Sequence, residues 1–149
     1  MDAFVFRRSV DLSAYPDLIV VYLGLRVNRW LGVKTLLGIG PGIAAIEKSK
    51  PAGLLAHEPM MFSLRHLAFR QYWRDLESLE AFVRSEPHKT WWKQFSKDHQ
   101  GAGFWHEVYR LKGGMEALYL DMPPIGLGSF APAKAAEGDF ATLRGRLGA

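Results

Sequence analysis

An α+β fold, an antiparallel sheet with two helices on one face, is what this sequence predicts, and three observations carry the prediction. Leu18 to Val27 (LIVVYLGLRV) is β-branched and apolar at successive positions, as a central strand covered on both faces requires. Arg65 to Trp73 is rich in aromatics and free of Gly and Pro, which suits another strand. Immediately after Trp73 the period changes, and Leu76, Leu79, Phe82 and Val83 fall on one face of a helix.

Taken in order, residues 1–16 read as an N-terminal extension with one short strand at Phe4 to Arg7, closed by Pro16. The central strand ends at Asn28 and Arg29, and helical spacing follows through Trp30, Val33, Leu36 and Leu37. The run Gly38-Ile-Gly-Pro-Gly42 should break or kink that helix, since Gly is costly inside one and Pro removes a donor. It resumes over Ile43 to Lys50. Gly53 to Phe62 is the second strand, with Pro59 confining that part to an edge, a bulge or a bend. Ser63 and Leu64 then link it to Arg65–Trp73 as a hairpin.

Asp75 stands where an N-cap should accept from unpaired backbone N–H groups. Ser85 starts a further helix with Pro87 in its first turn, placing His88, Trp91, Trp92, Phe95 and His99 on one side. Gly101 and Gly103 flank the turn into Phe104 to Leu111, and Gly113-Gly114 turns the chain into Met115 to Met122. The run Pro123 to Gly128 excludes regular structure and should lie across the body as a fixed loop. From Ala131 the Ala- and Gly-rich tail is expected to be mobile, with at most a short helix near Phe140 to Arg146. The organisation is therefore an extension (1–16), one domain (17–130) and a flexible tail (131–149).

The order is β-α-β-β-α-β with an extra C-terminal strand, the split βαβ or ferredoxin-like arrangement with both helices on one face. The strands hold too few polar positions to leave the other face wet. Pairing two sheets across a two-fold axis is the economical cover, so a homodimer with a shared barrel-like core is expected.

Composition narrows the function. The 149 residues are 48% hydrophobic, 23% charged and 13% aromatic, which is globular and rich enough in rings for a flat, apolar ligand. The net charge of +4 is spread out, with Arg7-Arg8 the only adjacent basic pair, which argues against nucleic-acid binding. The absence of Cys excludes disulfides, thiol catalysis and Cys-ligated metals, and fits a cytoplasmic setting. The first residues lack the basic-then-apolar order of a signal peptide, and no apolar run is long enough to span a bilayer. No His-x-x-x-His pair, carboxylate cluster or Gly-x-Ser-x-Gly elbow occurs, which disfavours metallo- and serine hydrolases and leaves no metal site to name.

The stretches Gly24–Arg29, Gln71–Asp75, Leu79–Phe82, Trp105–Tyr109 and Met122–Gly128 resemble the dimeric α+β barrel proteins of the monooxygenase-like group. That group includes antibiotic-biosynthesis and haem-degrading monooxygenases. More closely, the chain resembles a bacterial and fungal monooxygenase-like family over roughly residues 18 to 128. The resemblance implies a ligand cavity between helices and sheet, lined by a strand Trp, a helix and a His. Trp73 and His88 stand in that order here, and Asn28 is a positional counterpart of an Asn on the first strand of haem-degrading members. Haem is accordingly a candidate cofactor, with His88 as its candidate ligand.

His88 and His106 are the candidate catalytic residues, since a neutral imidazole can bind iron or move a proton near pH 7. Strand alternation separates Trp73, Gln71, Phe69 and Leu67 from Tyr72, Arg70, Ala68 and His66, and the Trp73 face is assigned to the cavity. The same rule separates His106 from Trp105, Glu107 and Tyr109. Glu107 is either a base raised by burial or, as the favoured reading, an ion-pair partner of Arg70 or Arg110 across a dimer seam. Trp73, Tyr72, Trp92, Trp105 and Asn28 are the candidate substrate contacts, while His57, His66 and His99 have weaker contexts. The expected function is oxygenation of a hydrophobic or aromatic small molecule, with or without haem. The alternative is a non-catalytic haem- or ligand-binding regulatory module on the same scaffold.

Overall fold

Strand β1 (Ile19–Val27) lies at the centre of the sheet because its apolar residues can be buried on both faces. A computed structural model describes residues 7–148, so the strand expected at Phe4 to Arg7 lies, except for Arg7, outside the described residues. The other strands are β2 (Leu54–Ser63), β3 (His66–Trp73), β4 (Ala102–Arg110) and β5 (Met115–Leu120). Their order is β2-β3-β1-β4-β5, with every neighbouring pair antiparallel. With helices α1 (Gly32–Ser49), α2 (Leu76–Arg84) and α3 (His88–Lys97) in the connections, this is the ferredoxin-like α+β order with one strand appended.

Local chemistry explains most boundaries. Asp75 Oδ1 accepts from the Ser78 N–H at 2.7 Å and starts α2. Gly113 and Gly114 take φ of 99° and 97° to turn β4 into β5, values that glycine adopts without steric cost. Pro59 sits on β2, an edge strand, where its missing N–H disturbs no second ladder.

Three expectations need correction. Helix α1 runs unbroken through Gly38–Gly42 with Pro41 inside it. Pro41 and Leu37 are exposed, so water can take the carbonyl that Pro41 leaves unpaired. Helix α3 begins at His88, after the cis Glu86–Pro87 peptide, because Ser85 is extended and caps α2 instead. Part of the 123–128 run does form regular structure, a 3-10 turn at Gly126–Ser129.

The core lies between the sheet and α2, where Ile19, Trp73 and Val108 are fully buried and Val21, Leu76 and Leu79 join them. The described tail has a 3-10 turn at Gly138–Ala141 and a helix α4 (Leu143–Leu147), close to the short helix expected there. Leu143 and Leu147 pack against the core, and Arg144 reaches Glu80 on α2 with two hydrogen bonds of 2.8 and 2.9 Å.

The two kinds of glycine predict opposite substitutions. A Cβ on Gly24 would stand 2.5 Å from the Trp105 indole nitrogen, whereas one on Gly38 would meet nothing within 4 Å. Gly24→Ala should cost about 1–3 kcal/mol by overpacking. Gly38→Ala should gain about 1 kcal/mol from helix propensity. Urea midpoints that move in the same direction for both would contradict these packing assignments.

Candidate functional site

Register and ring contacts decide which side chains meet. Trp73 packs on Phe82 of α2, and Phe104 packs on Trp92 and Phe95 of α3, so these strand positions face the helices. Alternation then puts Gln71, Phe69, His106 and Val108 on the same face. Tyr72, Arg70, His66, Trp105, Glu107 and Tyr109 lie on the opposite one.

On the helix face, Phe82 stands between Trp73 and His88, with ring centroids 5.2 Å from each. His88, at the first position of α3, places Nδ1 3.1 Å from the Val83 carbonyl. That oxygen can only accept, so Nδ1 carries the proton and Nε2 keeps its lone pair. Burial lowers the His88 pKa, the Val83 bond opposes this, and neighbouring His106 lowers it further. The result is a neutral imidazole with a free basic nitrogen. An apolar groove of about 360 Å³ between α1 and α2 includes Ile46, Phe82 and Pro87 in its walls, and His88 itself does not line it.

His106 has a different occupation. Its Nε2 lies 2.6 Å from Glu116 Oε1, an ion-pair distance, although neither atom has a partner in hydrogen-bond alignment among the described residues. The Glu116 side chain is completely buried, and its other oxygen accepts from Arg146 Nε on α4 at 2.6 Å. Burial drives the Glu116 pKa up, but His106 and Arg146 outweigh it and hold the carboxyl below its usual range. His106 thus lies close enough to influence His88 while being committed to Glu116.

A second polar chain crosses the same face. The Trp73 indole N–H donates to Gln71 Oε1 at 3.1 Å, and Gln71 Nε2 lies 3.1 Å from His57 Nδ1. His57 stacks on Phe69 with centroids 4.9 Å apart. Burial keeps the His57 pKa low, against the pull of Glu47.

The remaining sequence candidates sit elsewhere. Trp92 is on α3, 37% exposed, with its ring at the edge of Phe104. Trp105 lies under Gly24 on the far face and donates to His66 Nε2 at 2.8 Å. Tyr72, also on the far face, lies beneath the Arg70 guanidinium. Asn28 joins the ends of two strands, donating to the Asp121 carbonyl and accepting from Arg26 at 2.7 Å each. The structure therefore brings together Trp73, His88, His106 and Trp92 on the helix face, and not Tyr72, Trp105 or Asn28.

Glu107 also departs from the favoured reading. Within the chain it accepts from the Tyr109 hydroxyl, from the Tyr119 hydroxyl at 2.5 Å and from the Leu127 N–H at 2.7 Å. Arg70 instead pairs with Glu58 across β2 and β3. Burial and the Glu107 carboxylate push the Tyr119 phenol up to about 12. Sequence reasoning placed Gln71 on the Trp73 face and gave His57 a weaker context, but it missed Glu116 and Arg146. Alternation put Gln71 beside Trp73, but the partners of these residues come from other strands and the tail.

Among the described residues, no cluster of three or more His, Asp or Glu is arranged to hold a metal ion. For haem the donor chemistry distinguishes the two histidines. His88 has the tautomer a ligand needs, with Nδ1–H on a backbone carbonyl. His106 Nε2 is taken by Glu116.

A five-stranded antiparallel sheet in this order, with helices over an aromatic and histidine-bearing face, defines a ferredoxin-like α+β domain. The chain belongs to the monooxygenase af470-like family, whose model matches residues 18–127. Monooxygenase af470 of Aspergillus fumigatus is 29% identical over 127 residues, covering 75% of this chain and 46% of that protein. The chain thus spans about half the length of that curated relative. In fold it is similar to an aldoxime dehydratase solved with butyraldoxime, at 21% identity and a TM-score of 0.53, covering 91% of this chain and 40% of that one. It is also similar to a conserved Bacteroides thetaiotaomicron protein, at 15% identity and a TM-score of 0.51, covering 64% and 99% respectively.

The buried imidazoles make a pH prediction. Folding lowers the pKa of His57, His66 and His88, with burial the largest cause in each case. The unfolded chain therefore binds more protons than the native state once the pH drops below about 6.5, and stability falls with acidification through that range. Glu116 adds nothing there, because its contribution is present above the ordinary carboxylate pKa and is lost only as pH falls through its lowered one. Urea midpoints should be lower at about pH 5.5 than at about pH 7.5, on either side of the ordinary imidazole pKa. A midpoint that rises on acidification would exclude neutral buried imidazoles as the controlling groups.

Proposed function

We propose that this chain forms the substrate-binding and catalytic unit of a monooxygenase-type enzyme acting on a hydrophobic or aromatic small molecule. The observation that carries the reading is the free Nε2 of neutral His88 at the end of a wall of rings, Trp73, Phe82 and His88. The substrate would lie between α1, α3 and the sheet, against Phe104 and Trp92. His88 Nε2 would accept a proton from an acidic O–H or C–H of the substrate. The resulting anion would be electron-rich enough to react with oxygen, and His106, held by Glu116, would set the charge that His88 can tolerate. Were haem bound, His88 Nε2 would hold it and the iron would supply oxygen binding and activation. Family membership supports the oxygenase class.

Anthrone serves as a probe because it combines flat rings with an acidic C–H. Oxygen uptake in its presence should be stimulated by the protein and fall about 10²–10⁴-fold in His88→Ala, the span of a lost acid–base group. No stimulation by the wild type would reject the catalytic reading and leave a binding module. Haem titration offers a parallel check: a Soret band lost in His88→Ala and kept in His106→Ala would place the ligand at His88.

The same reading includes a homodimer. Val20, Tyr22, Tyr72 and Tyr109 lie half-buried on the sheet face opposite the helices, a surface that a second sheet would cover. Light scattering at micromolar concentration should give twice the chain mass. The mass of a single chain would remove the dimer from the proposal.

A further inference from the structure

The polar chain that begins at Trp73 has an open end. The indole N–H can only donate, so the Gln71 oxygen faces it and the Gln71 NH₂ faces His57. His57 Nδ1 must therefore accept, which leaves the proton on Nε2. That N–H is buried and has no partner among the described residues. A buried donor without a partner carries a desolvation penalty, and native proteins leave few of them. The ring is held by Gln71 on one side and by stacking on Phe69, with 13° between planes, so turning it to solvent would break both contacts.

The surroundings differ from the dry core. Under α2, Ile19, Val21 and Trp73 are buried, whereas Leu23, Leu67, Phe69 and His57 are only half-buried. Beyond Gly32, none of the described side chains of α1 is buried. The sheet floor between β2 and β1 is apolar, partly open, and carries one fixed N–H that no described residue accepts from.

We propose that His57 Nε2 is a specificity-determining donor that hydrogen-bonds a carbonyl-type oxygen on a flat apolar substrate lying over Phe69 and Leu67. The inference rests on the oxygenase reading above and names its substrate class: an aromatic ketone or quinone, not a plain hydrocarbon. Gln71 is the positioning residue, because it fixes the imidazole tautomer. Burial supports the assignment by keeping His57 neutral, and Glu47 is the nearby acid that works against it.

The test compares 9-fluorenone with fluorene, which differ chiefly by the acceptor oxygen, using calorimetric binding and the infrared carbonyl stretch of bound fluorenone. Wild type should prefer fluorenone by about tenfold, as one net hydrogen bond allows, and should lower the carbonyl frequency relative to an apolar solvent. His57→Phe should abolish both effects while still binding fluorene, and His57→Gln, which restores a donor, should recover part of each. Equal affinities with an unshifted carbonyl would overturn the inference and leave the oxygenase reading standing. Binding of neither compound would overturn both. Should His57→Phe fail to fold, the wild-type carbonyl frequency decides: an unshifted band overturns the proposal.

Discussion

The indole of Trp73 is the constraint on which the rest of the structure depends. It is completely buried, so its N–H must find an acceptor within the sheet face. Gln71, two residues earlier on the same face, supplies one. That choice commits the Gln71 oxygen and turns its NH₂ toward His57 on the neighbouring strand. The other side of the indole meets Phe82, which in turn meets His88. One core residue thereby orders two imidazoles in different directions, so core and candidate site are one packing problem.

Buried carboxylates give the sheet a second organising theme. Glu116 on the helix face is held by Arg146 and His106, which are cations or can become so. Glu107 on the far face is held by two phenols and a backbone N–H, all neutral. Burying a carboxylate is costly in either case, and removing one partner of such a group costs more than the intact arrangement contributes. The difference lies in what each binds down. Glu116 ties α4 to β5 and links that contact to His106, whereas Glu107 fixes the 126–129 turn over β4 and β5.

Much of this was legible in the sequence, for reasons that are local. The Leu18–Val27 run, the Asp75 cap, the Gly113-Gly114 turn and the change of period after Trp73 each depend on neighbours within a few residues. Alternation alone placed Trp73 opposite Tyr72. The Pro41 region was misleading because the cost of Pro in a helix depends on whether water can reach the freed carbonyl, and exposure is a tertiary property. His106 could be assigned a face only once β4 was set against β1 and α3. His57 was illegible for the same reason: its partner Gln71 is brought opposite by a register that includes a bulge between Leu54 and Ala56. Glu107 looked like a cross-chain ion pair because the phenols that satisfy it, Tyr109 and Tyr119, need the β4–β5 register to converge on it.

The packing of the helices on the sheet is asymmetric. Under α2 the sheet is sealed by interlocking apolar side chains around the fully buried Trp73. Helix α1 is held differently: Gly42 lets the Trp91 ring of α3 approach so closely that a Cβ would stand 2.6 Å from it, while much of α1 remains exposed. A helix with no buried side chain beyond Gly32 among its described residues can separate from the sheet at lower cost than α2 can. Two imidazole nitrogens, Nε2 of His57 and Nε2 of His88, belong to that helix face and neither is spent on the fold. The densest packing lies under α2, and in the proposed reading the groups that meet a ligand lie where packing is less complete.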